Sequence, residues 1–164
     1  MKRVKWIFVV LLFSSLTAFV AKDKPTTGLS VGDKAPDFQL EACSGRGPMT
    51  LDSLRGRYVL LSFWASYDAA SRRQNARLCQ ALRRCGQPVE AVSVSFDDYY
   101  SVFAETVRQD GLDVASCYVE TDGESSALYR KYRLNRGFHN FLLDGQGVIL
   151  AKDVDPARLS SLLQ

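Results

Sequence analysis

The sequence predicts an α/β domain with a central mixed β-sheet flanked by helices, and two observations lead to this prediction. Apolar segments of strand length alternate along the chain with segments of helical periodicity. The most apolar strand, Tyr58–Phe63, leads directly into a helical pattern that starts at Asp68 and contains no Gly or Pro before Gly86. A nearly continuous apolar run is typical of a central strand that is covered on both faces.

The other elements are predicted in order from periodicity, turn residues and capping residues. Before the central strand come an N-terminal strand containing Phe38 and Leu40, a turn at Gly45–Pro48 and a short leader at Thr50–Gly56. After the first helix come a strand at Val89–Phe96, a helix at Tyr99–Gln109 capped by Asp97 and Asp98, a short strand at Val114–Val119, a short helix at Glu124–Tyr132, a hairpin of Phe138–Asp144 and Val148–Lys152, and a last helix from Asp155. The expected order is therefore β-β-β-α-β-α-β-α-β-β-α.

The N-terminal residues predict an export signal. Lys2, Arg3 and Lys5 precede an apolar run, Trp6–Val20, which gives the charged and hydrophobic regions of a signal in the usual order. This run is shorter than the roughly 20 residues that a membrane-spanning helix needs. We therefore expect the protein to leave the cytoplasm.

The signal divides the chain into three predicted parts. Residues 1–21 form a signal peptide or an N-terminal anchor, residues 22–30 a polar linker, and residues 31–164 the folded domain. A bulky residue stands two positions before each candidate cleavage alanine, so a membrane tether through residues 6–20 stays open. The predicted location is periplasmic, or membrane-anchored and facing the periplasm.

The net positive charge belongs to the signal and not to the domain. The chain has 21 Lys+Arg and 18 Asp+Glu, and residues 1–21 contain three basic and no acidic residues, which leaves 18 of each sign. No basic stripe indicates a nucleic-acid partner. We expect no bound cofactor and no metal.

The pattern of cysteines leaves their pairing open. The four cysteines are Cys43, Cys79, Cys85 and Cys117. They allow three complete pairings, and export makes disulfides chemically accessible. Cys79 and Cys85 are separated by a rise of about 9 Å on one predicted helix, so this pair cannot close while the helix is intact. Cys85 shares a helical stripe with Leu78 and Leu82, and we expect buried structural thiols.

The segment at the start of the first helix resembles a known active site. Residues 63–72 read Phe-Trp-Ala-Ser-Tyr-Asp-Ala-Ala-Ser-Arg. They resemble the segment Phe-Trp-Ala-Ser-Trp-Cys-x-Pro-Cys-Arg of thioredoxin-like proteins of the TlpA/ResA and AhpC/TSA type. The resemblance implies a thioredoxin-like fold with an N-terminal β-hairpin and a βα-type insertion. It also places Asp68 where the nucleophilic cysteine stands, Ser71 where the resolving cysteine stands, and Ala69 and Ala70 between them.

The loop before the C-terminal hairpin departs from the family pattern as well. The family carries a cis-proline there, in Gly-x-Pro-Thr, and the matching residues are Arg136-Gly137-Phe138-His139. Phe138 therefore takes the proline position. A cis peptide before a non-proline residue costs about 2.5–4 kcal/mol, so we expect a trans loop and an altered substrate-docking edge.

These replacements predict a protein that has lost dithiol chemistry, because Asp68 and Ser71 cannot form a disulfide. Asp68 suits the same position as a helix N-cap, where the helix dipole stabilises a carboxylate. The leading hypothesis is a binding or scaffolding role toward an unknown envelope protein or peptide. The surface would be the degenerate site and the residues around it, which are Trp64, Tyr67, Phe138 and His139.

Two enzymatic interpretations stay open beside this one. The first is a thiol–disulfide oxidoreductase or peroxidase that uses a non-standard cysteine, Cys79 or Cys117. The second is acyl transfer by a Ser-His-Asp set, which requires His139 to approach Ser71 and Asp68. Thiol reactivity in the folded state discriminates the first of these from a binding protein.

Two surface features each allow a functional and a structural interpretation. Arg72, Arg73 and Arg77 follow the helix start and form either an anion site or a solvated helix face. The aromatic residues of this region form either a ligand surface or ordinary core and rim packing. These aromatic residues are Trp64, Tyr67, Tyr99 and Tyr100.

Overall fold

The computed structural model describes residues 25–41 and 47–163. The predicted signal segment, Cys43 and the beginning of the predicted turn at Gly45–Pro48 lie outside the described residues. Within them, the chain forms the mixed α/β structure that the sequence predicts.

The described chain contains seven strands and four α-helices, connected in part by short 3₁₀ turns. The strands are β1 (Gln39–Leu40), β2 (Met49–Thr50), β3 (Tyr58–Trp64), β4 (Val89–Ser95), β5 (Cys117–Val119), β6 (Asn140–Leu143) and β7 (Ile149–Lys152). The helices are α1 (Ala69–Cys85), α2 (Tyr100–Gln109), α3 (Ala127–Lys131) and α4 (Leu159–Leu162). This order confirms the predicted order of elements.

Strand β3 is the centre of the main sheet. Five strands lie in the order β5-β4-β3-β6-β7. β3 runs parallel to β4 and antiparallel to β6, so Leu61 pairs with Val92 on one side and Phe141 on the other. β1 and β2 form a separate antiparallel hairpin. The carboxyl ends of β3 and β4 therefore meet at one edge of the sheet, and helix α1 begins there.

The two faces of the sheet bury different side chains, because successive residues of a strand point to opposite faces. Leu61 and Phe63 contribute to the core on one face. Leu60 and Leu142 contribute to the core on the other, where Leu78 of α1 packs with no exposed surface. This packing holds α1 against the sheet and so places its first turn beside the end of β3.

The predicted capping of α2 is wrong. Tyr99 occupies the N-cap position, and its side chain makes no capping hydrogen bond. Asp97 instead accepts hydrogen bonds from Ser66 and Ser95. Asp98 is exposed. The reason is that Asp97 lies two residues after the last residue of β4, where the backbone N–H of Ser66 is within hydrogen-bond distance.

Several further boundaries differ from the prediction; β6 begins at Asn140 and not at Phe138, and the last helix begins with a 3₁₀ turn. Two other differences have a local cause. The predicted strand at Val114–Val119 shortens to β5, because Asp113 accepts a hydrogen bond from the N–H of Ala115 at 3.0 Å and starts a 3₁₀ turn. The predicted helix at Glu124–Tyr132 divides into a 3₁₀ turn and α3. Ser126 separates them by accepting two N–H groups from the first turn of α3.

The end of the predicted linker packs onto the domain. The N–H of Gly28 donates to the carbonyl of Lys34 at 3.1 Å, and the N–H of Lys34 donates to Thr26 at 2.8 Å. The N–H of Gly32 donates to the carbonyl of Ile149 in β7 at 2.9 Å. These bonds attach the chain before β1 to the edge of the main sheet.

Candidate functional site

Asp68 caps helix α1 at the carboxyl end of β3. It has an extended backbone (φ −97°, ψ 96°), and its Oδ1 accepts a hydrogen bond from the N–H of Ser71 at 2.7 Å. This bond satisfies one of the free N–H groups of the first helical turn. Gly86 ends the helix in the left-handed conformation, at φ 66°. The capping role that the sequence predicts for Asp68 is confirmed.

The same bond favours the charged form of the cap. The N–H of Ser71 holds the pKa of Asp68 below its ordinary value. Since the pKa is lower in the folded chain than in the unfolded chain, ionised Asp68 stabilises the fold above about pH 4, and this stabilisation is lost as the pH falls through the folded-state pKa.

Substitution of Asp68 should reveal this role. We expect Asp68→Ala to lower the free energy of unfolding by about 1 kcal/mol, because an unpaired N–H group remains at the helix start. Asp68→Asn should change it little, since asparagine caps equally well, but it should remove the acid-dependent part of the cap's contribution. Urea unfolding at neutral and acidic pH measures both effects.

Asp122 provides a matched control. It precedes a 3₁₀ turn without making a side-chain capping bond, so Asp122→Ala should change stability by no more than about 0.5 kcal/mol. If Asp68→Asn abolished a biochemical activity at unchanged stability, Asp68 would have a chemical role instead.

Ser71 contacts Asp68, but the carboxylate partner of His139 is Asp153, so the structure does not assemble the Ser-His-Asp set. The hydroxyl of Ser71 donates to the backbone carbonyl of Asp68 at 3.2 Å inside the first helical turn. The Nδ1 of His139 lies 2.8 Å from Oδ1 of Asp153, and its ring is 6.4 Å from the ring of Phe141. His139 thus extends to the sheet face of Phe141, which is opposite the face that α1 covers.

Phe138 takes part in an aromatic cluster beside the helix start. No cis peptide bond occurs in residues 25–41 or 47–163, so the peptide before Phe138 is trans, as the sequence predicts. Its ring stacks on Phe96 at 6.0 Å and lies 6.3 Å from Tyr129 and 6.4 Å from Tyr67. Tyr67 immediately precedes Asp68 and is 65% exposed. We call Tyr67 and Phe138 the aromatic face.

Trp64 does not take part in the aromatic face, because it packs in a different core cluster from Phe138. Its side chain has no exposed surface, and its Nε1 donates to Oγ of Ser93 at 2.9 Å. Tyr99 and Tyr100 are exposed. Trp64 is therefore not part of the predicted ligand surface, because its side chain, at the end of β3, points into the core between α1 and α2.

Arg72 is already neutralised by a carboxylate. Its Nε and Nη2 donate to the two oxygens of Asp110 at 2.8 and 2.7 Å. This pair lines an open depression of about 460 Å³, together with Ser66 and Arg73. A guanidinium that is engaged by both oxygens of a carboxylate has little capacity for a further anion, so the structure favours the reading of Arg72 as part of the helix surface.

Residues 31–152 match the AhpC/TSA family. The chain belongs to this family. As the resemblance of residues 63–72 implies, it is thus related to the thioredoxin-like thiol–disulfide oxidoreductases.

Individual relatives agree with this assignment. A thioredoxin-like protein from Parabacteroides distasonis is 38% identical in sequence, with a TM-score of 0.74, and the match covers 85% of this chain and 98% of that one. A thiol–disulfide oxidoreductase from Bacteroides fragilis is 26% identical, with a TM-score of 0.68, and the match covers 80% of this chain and 97% of that one. The thioredoxin-like protein YneN of Bacillus subtilis is 27% identical over 97 residues. That match covers 56% of each chain, so this chain spans about half the length of the curated relative.

Cys79 and Cys117 of this AhpC/TSA family member are poor nucleophiles near neutral pH. Cys117 is 1% exposed, and Cys79 is half-buried against the same core. Burial raises the pKa of Cys79 to about 11 and that of Cys117 to about 12. Cys85 packs near Leu78, as predicted. Since the thiolate is the reactive form, these pKa values oppose catalysis by Cys79 or Cys117 near neutral pH.

Sequence reasoning missed the most extensively bonded carboxylate at this edge, Asp97. Its side chain is buried; Oδ1 accepts from the N–H and the hydroxyl of Ser66 at 2.9 and 2.6 Å, and Oδ2 accepts from the hydroxyl of Ser95 at 2.6 Å. These bonds join the loop after β3 to the end of β4. The signal that was present in the sequence is an Asp placed directly after a buried parallel strand, where loops from neighbouring strands meet.

Proposed function

We propose that this AhpC/TSA family member is an exported binding protein that has lost dithiol chemistry. The observation that carries the proposal is the chemistry of the helix start. The resemblance places a pair of cysteines at Asp68 and Ser71, and here these two residues form a hydrogen-bonded helix cap with no sulfur. The positive end of the helix, which acidifies a cysteine in an active relative, stabilises a carboxylate in this chain.

The aromatic face is the proposed binding surface for a protein or peptide of the cell envelope. Tyr67 is largely exposed, and its ring packs near the ring of Phe138, which lies in the loop before β6. The ring of Phe138 is in turn held by Phe96 and Tyr129, so the face is supported by the core beneath it. A rigid aromatic residue offers a large contact area at a small entropic cost, which is why tyrosine is common in protein interfaces.

Loss of one tyrosine should weaken this binding. We expect Tyr67→Ala to reduce the recovery of a specific envelope partner at least tenfold, which corresponds to about 1.4 kcal/mol. The measurement is affinity capture from the native envelope with the full chain, followed by a titration of each captured protein. Tyr58→Ala is the matched control, because Tyr58 is also exposed but lies at the opposite end of β3.

Equal recovery by wild type and Tyr67→Ala would exclude the aromatic face as the binding surface. A thiol that reacts rapidly at pH 7 in the folded chain would instead support the enzymatic alternative through Cys79 or Cys117.

Export is proposed from the N-terminal sequence, which lies outside the described residues. In the stretches from 25 to 41 and from 47 to 163, no helix is long and apolar enough to cross a bilayer. We expect cell fractionation to recover the protein outside the cytoplasm, with an N-terminus near residues 19–22 if the signal is cleaved. Recovery of the full-length soluble chain from the cytoplasm would contradict this prediction.

A further inference from the structure

Two thiols pack against one apolar cluster behind the degenerate site. Cys79 lies in α1, and Cys117 begins β5 at the edge of the sheet, where it pairs with Ser93 of β4. Both side chains contact the apolar cluster around Trp64.

A short polar chain runs from Cys79 toward Cys117. The hydroxyl of Ser93 donates to Oδ1 of Asn75 at 3.0 Å, and the same oxygen lies 4.0 Å from Sγ of Cys79, one helical turn further along α1. Ser93 is in turn the register partner of Cys117 in the parallel pair of β4 and β5, and both cysteines pack against the same apolar cluster. The negative charge of a Cys79 thiolate would raise the pKa of Cys117, as expected of neighbouring thiols.

We propose that Cys79 and Cys117 are a second dithiol, separate from the degenerate site, which oxidises to an intramolecular disulfide that joins helix α1 to edge strand β5. The modification is structural, and its oxidant is a disulfide of the exported environment.

The exchange balances with such an oxidant. One thiolate attacks a sulfur of the oxidant, which forms a mixed disulfide and releases one thiol. The second thiolate then attacks the cysteine sulfur of the mixed disulfide and releases the other thiol. The chain loses two protons and two electrons, and the oxidant is reduced to two thiols.

The structure assigns the two roles within the exchange. Cys79 lines an open groove of about 290 Å³ with Arg83 and Ser116, so an oxidant reaches it first. The guanidinium of Arg83 lowers the pKa of Cys79 against the larger effect of burial. Cys117 is 1% exposed, so an oxidant does not reach it directly in the folded chain, and we assign it as the resolving thiol.

The other cysteines do not compete for Cys79 in the folded chain. Cys85 lies on the same helix, further along α1, and packs with Leu78 and Leu82 in a different cluster. The intact helix keeps its Cα too far from that of Cys79 for a disulfide. Cys43 lies outside the described residues.

The high pKa values of Cys79 and Cys117 determine how fast this disulfide forms and breaks. Thiolates are scarce near neutral pH when the pKa is about 11 or about 12, so exchange in the folded chain is slow in both directions. Such a bond forms mainly during folding and then persists. It restrains β5, the short edge strand, against the helix that carries the degenerate site.

Peptide mapping tests the proposal on the full-length chain. The chain is refolded with glutathione disulfide, unfolded again with N-ethylmaleimide present, and digested with trypsin. Arg83 and Arg84 separate Cys79 from Cys85, so their peptides are distinct. We expect the Cys79 and Cys117 peptides to be linked and to weigh two hydrogen atoms less than their sum. The oxidised chain should melt about 5 °C higher than the reduced chain.

Matched variants separate this pair from the other thiols. Cys85→Ala should leave both the linked peptide and the rise in melting temperature unchanged, whereas Cys79→Ala should remove both. Complete N-ethylmaleimide labelling of Cys79 and Cys117 after refolding would overturn the proposal. A linked peptide that contains Cys43 or Cys85 in place of either residue would overturn it as well.

Discussion

The unmodified chain should reduce insulin disulfides no faster than the uncatalysed reaction, and Asp68→Cys combined with Ser71→Cys should restore only part of a thioredoxin-like activity. Without two thiols at the start of α1, no internal disulfide can accept or donate electrons there. The double variant supplies both thiols and keeps the helix N-terminus that lowers the pKa of the first one.

Phe138 is the reason for expecting partial recovery. Its ring is held between Phe96 and Tyr67 in the loop that faces the helix start. In the double variant this ring still occupies the family's proline position, where a substrate disulfide must dock. Adding Phe138→Pro should therefore raise the rate further, by about tenfold if docking limits the reaction.

The single variant Asp68→Cys is the control for this series. It contains a thiol at the helix start but no resolving partner, so it should form mixed disulfides without turning over. Robust reduction by the unmodified chain would falsify the proposed loss of dithiol chemistry and would direct the search to Cys79, Cys85 and Cys117. Full activity in the double variant alone would show that Phe138 does not obstruct the site.

The largest loss of stability at this edge of the sheet is expected for Asp97→Ala, at about 3 kcal/mol. The substitution removes an acceptor of three hydrogen bonds and leaves the N–H of Ser66 unpaired near the buried end of β4. Hydrogen bonds to a charged group contribute about 1.5–3 kcal/mol each, although they are not additive. Asp97→Asn should cost about half as much, because its carbonyl oxygen can still accept from Ser66.

Urea unfolding measures this loss as a lower midpoint at an unchanged slope. Asp98→Ala is the matched control, since Asp98 is the exposed neighbour and should change stability by no more than about 0.5 kcal/mol. A loss below about 1 kcal/mol for Asp97→Ala would contradict the structural role assigned to these bonds.

The fold was largely predictable from the sequence because its strongest signals are local. The apolar run of β3 and the uninterrupted helical pattern between Asp68 and Gly86 each identify an element without knowledge of its neighbours. The capping role of Asp68 is equally local, since it depends on residues within one helical turn.

The candidate site was harder to predict because its contacts join distant segments. Asp97 lies where the sequence predicts a helix N-cap. Only the tertiary structure shows that the N–H of Ser66 lies close enough to donate a hydrogen bond to its carboxylate. His139 is a second example. Its carboxylate partner is Asp153, at the end of the following strand, and only the tertiary structure shows that this residue and not Asp68 lies beside the ring.

The carboxylate cap of α1 has a consequence for how the protein responds to its surroundings. A cysteine at the helix start would change its covalent state with every shift in redox potential, and the surface around it would change with it. Asp68 has no such states, and its charge is constant at all pH values well above about 4. The helix start should therefore contribute no redox dependence to the proposed binding at the aromatic face, whereas a pair of cysteines there would alternate between two states.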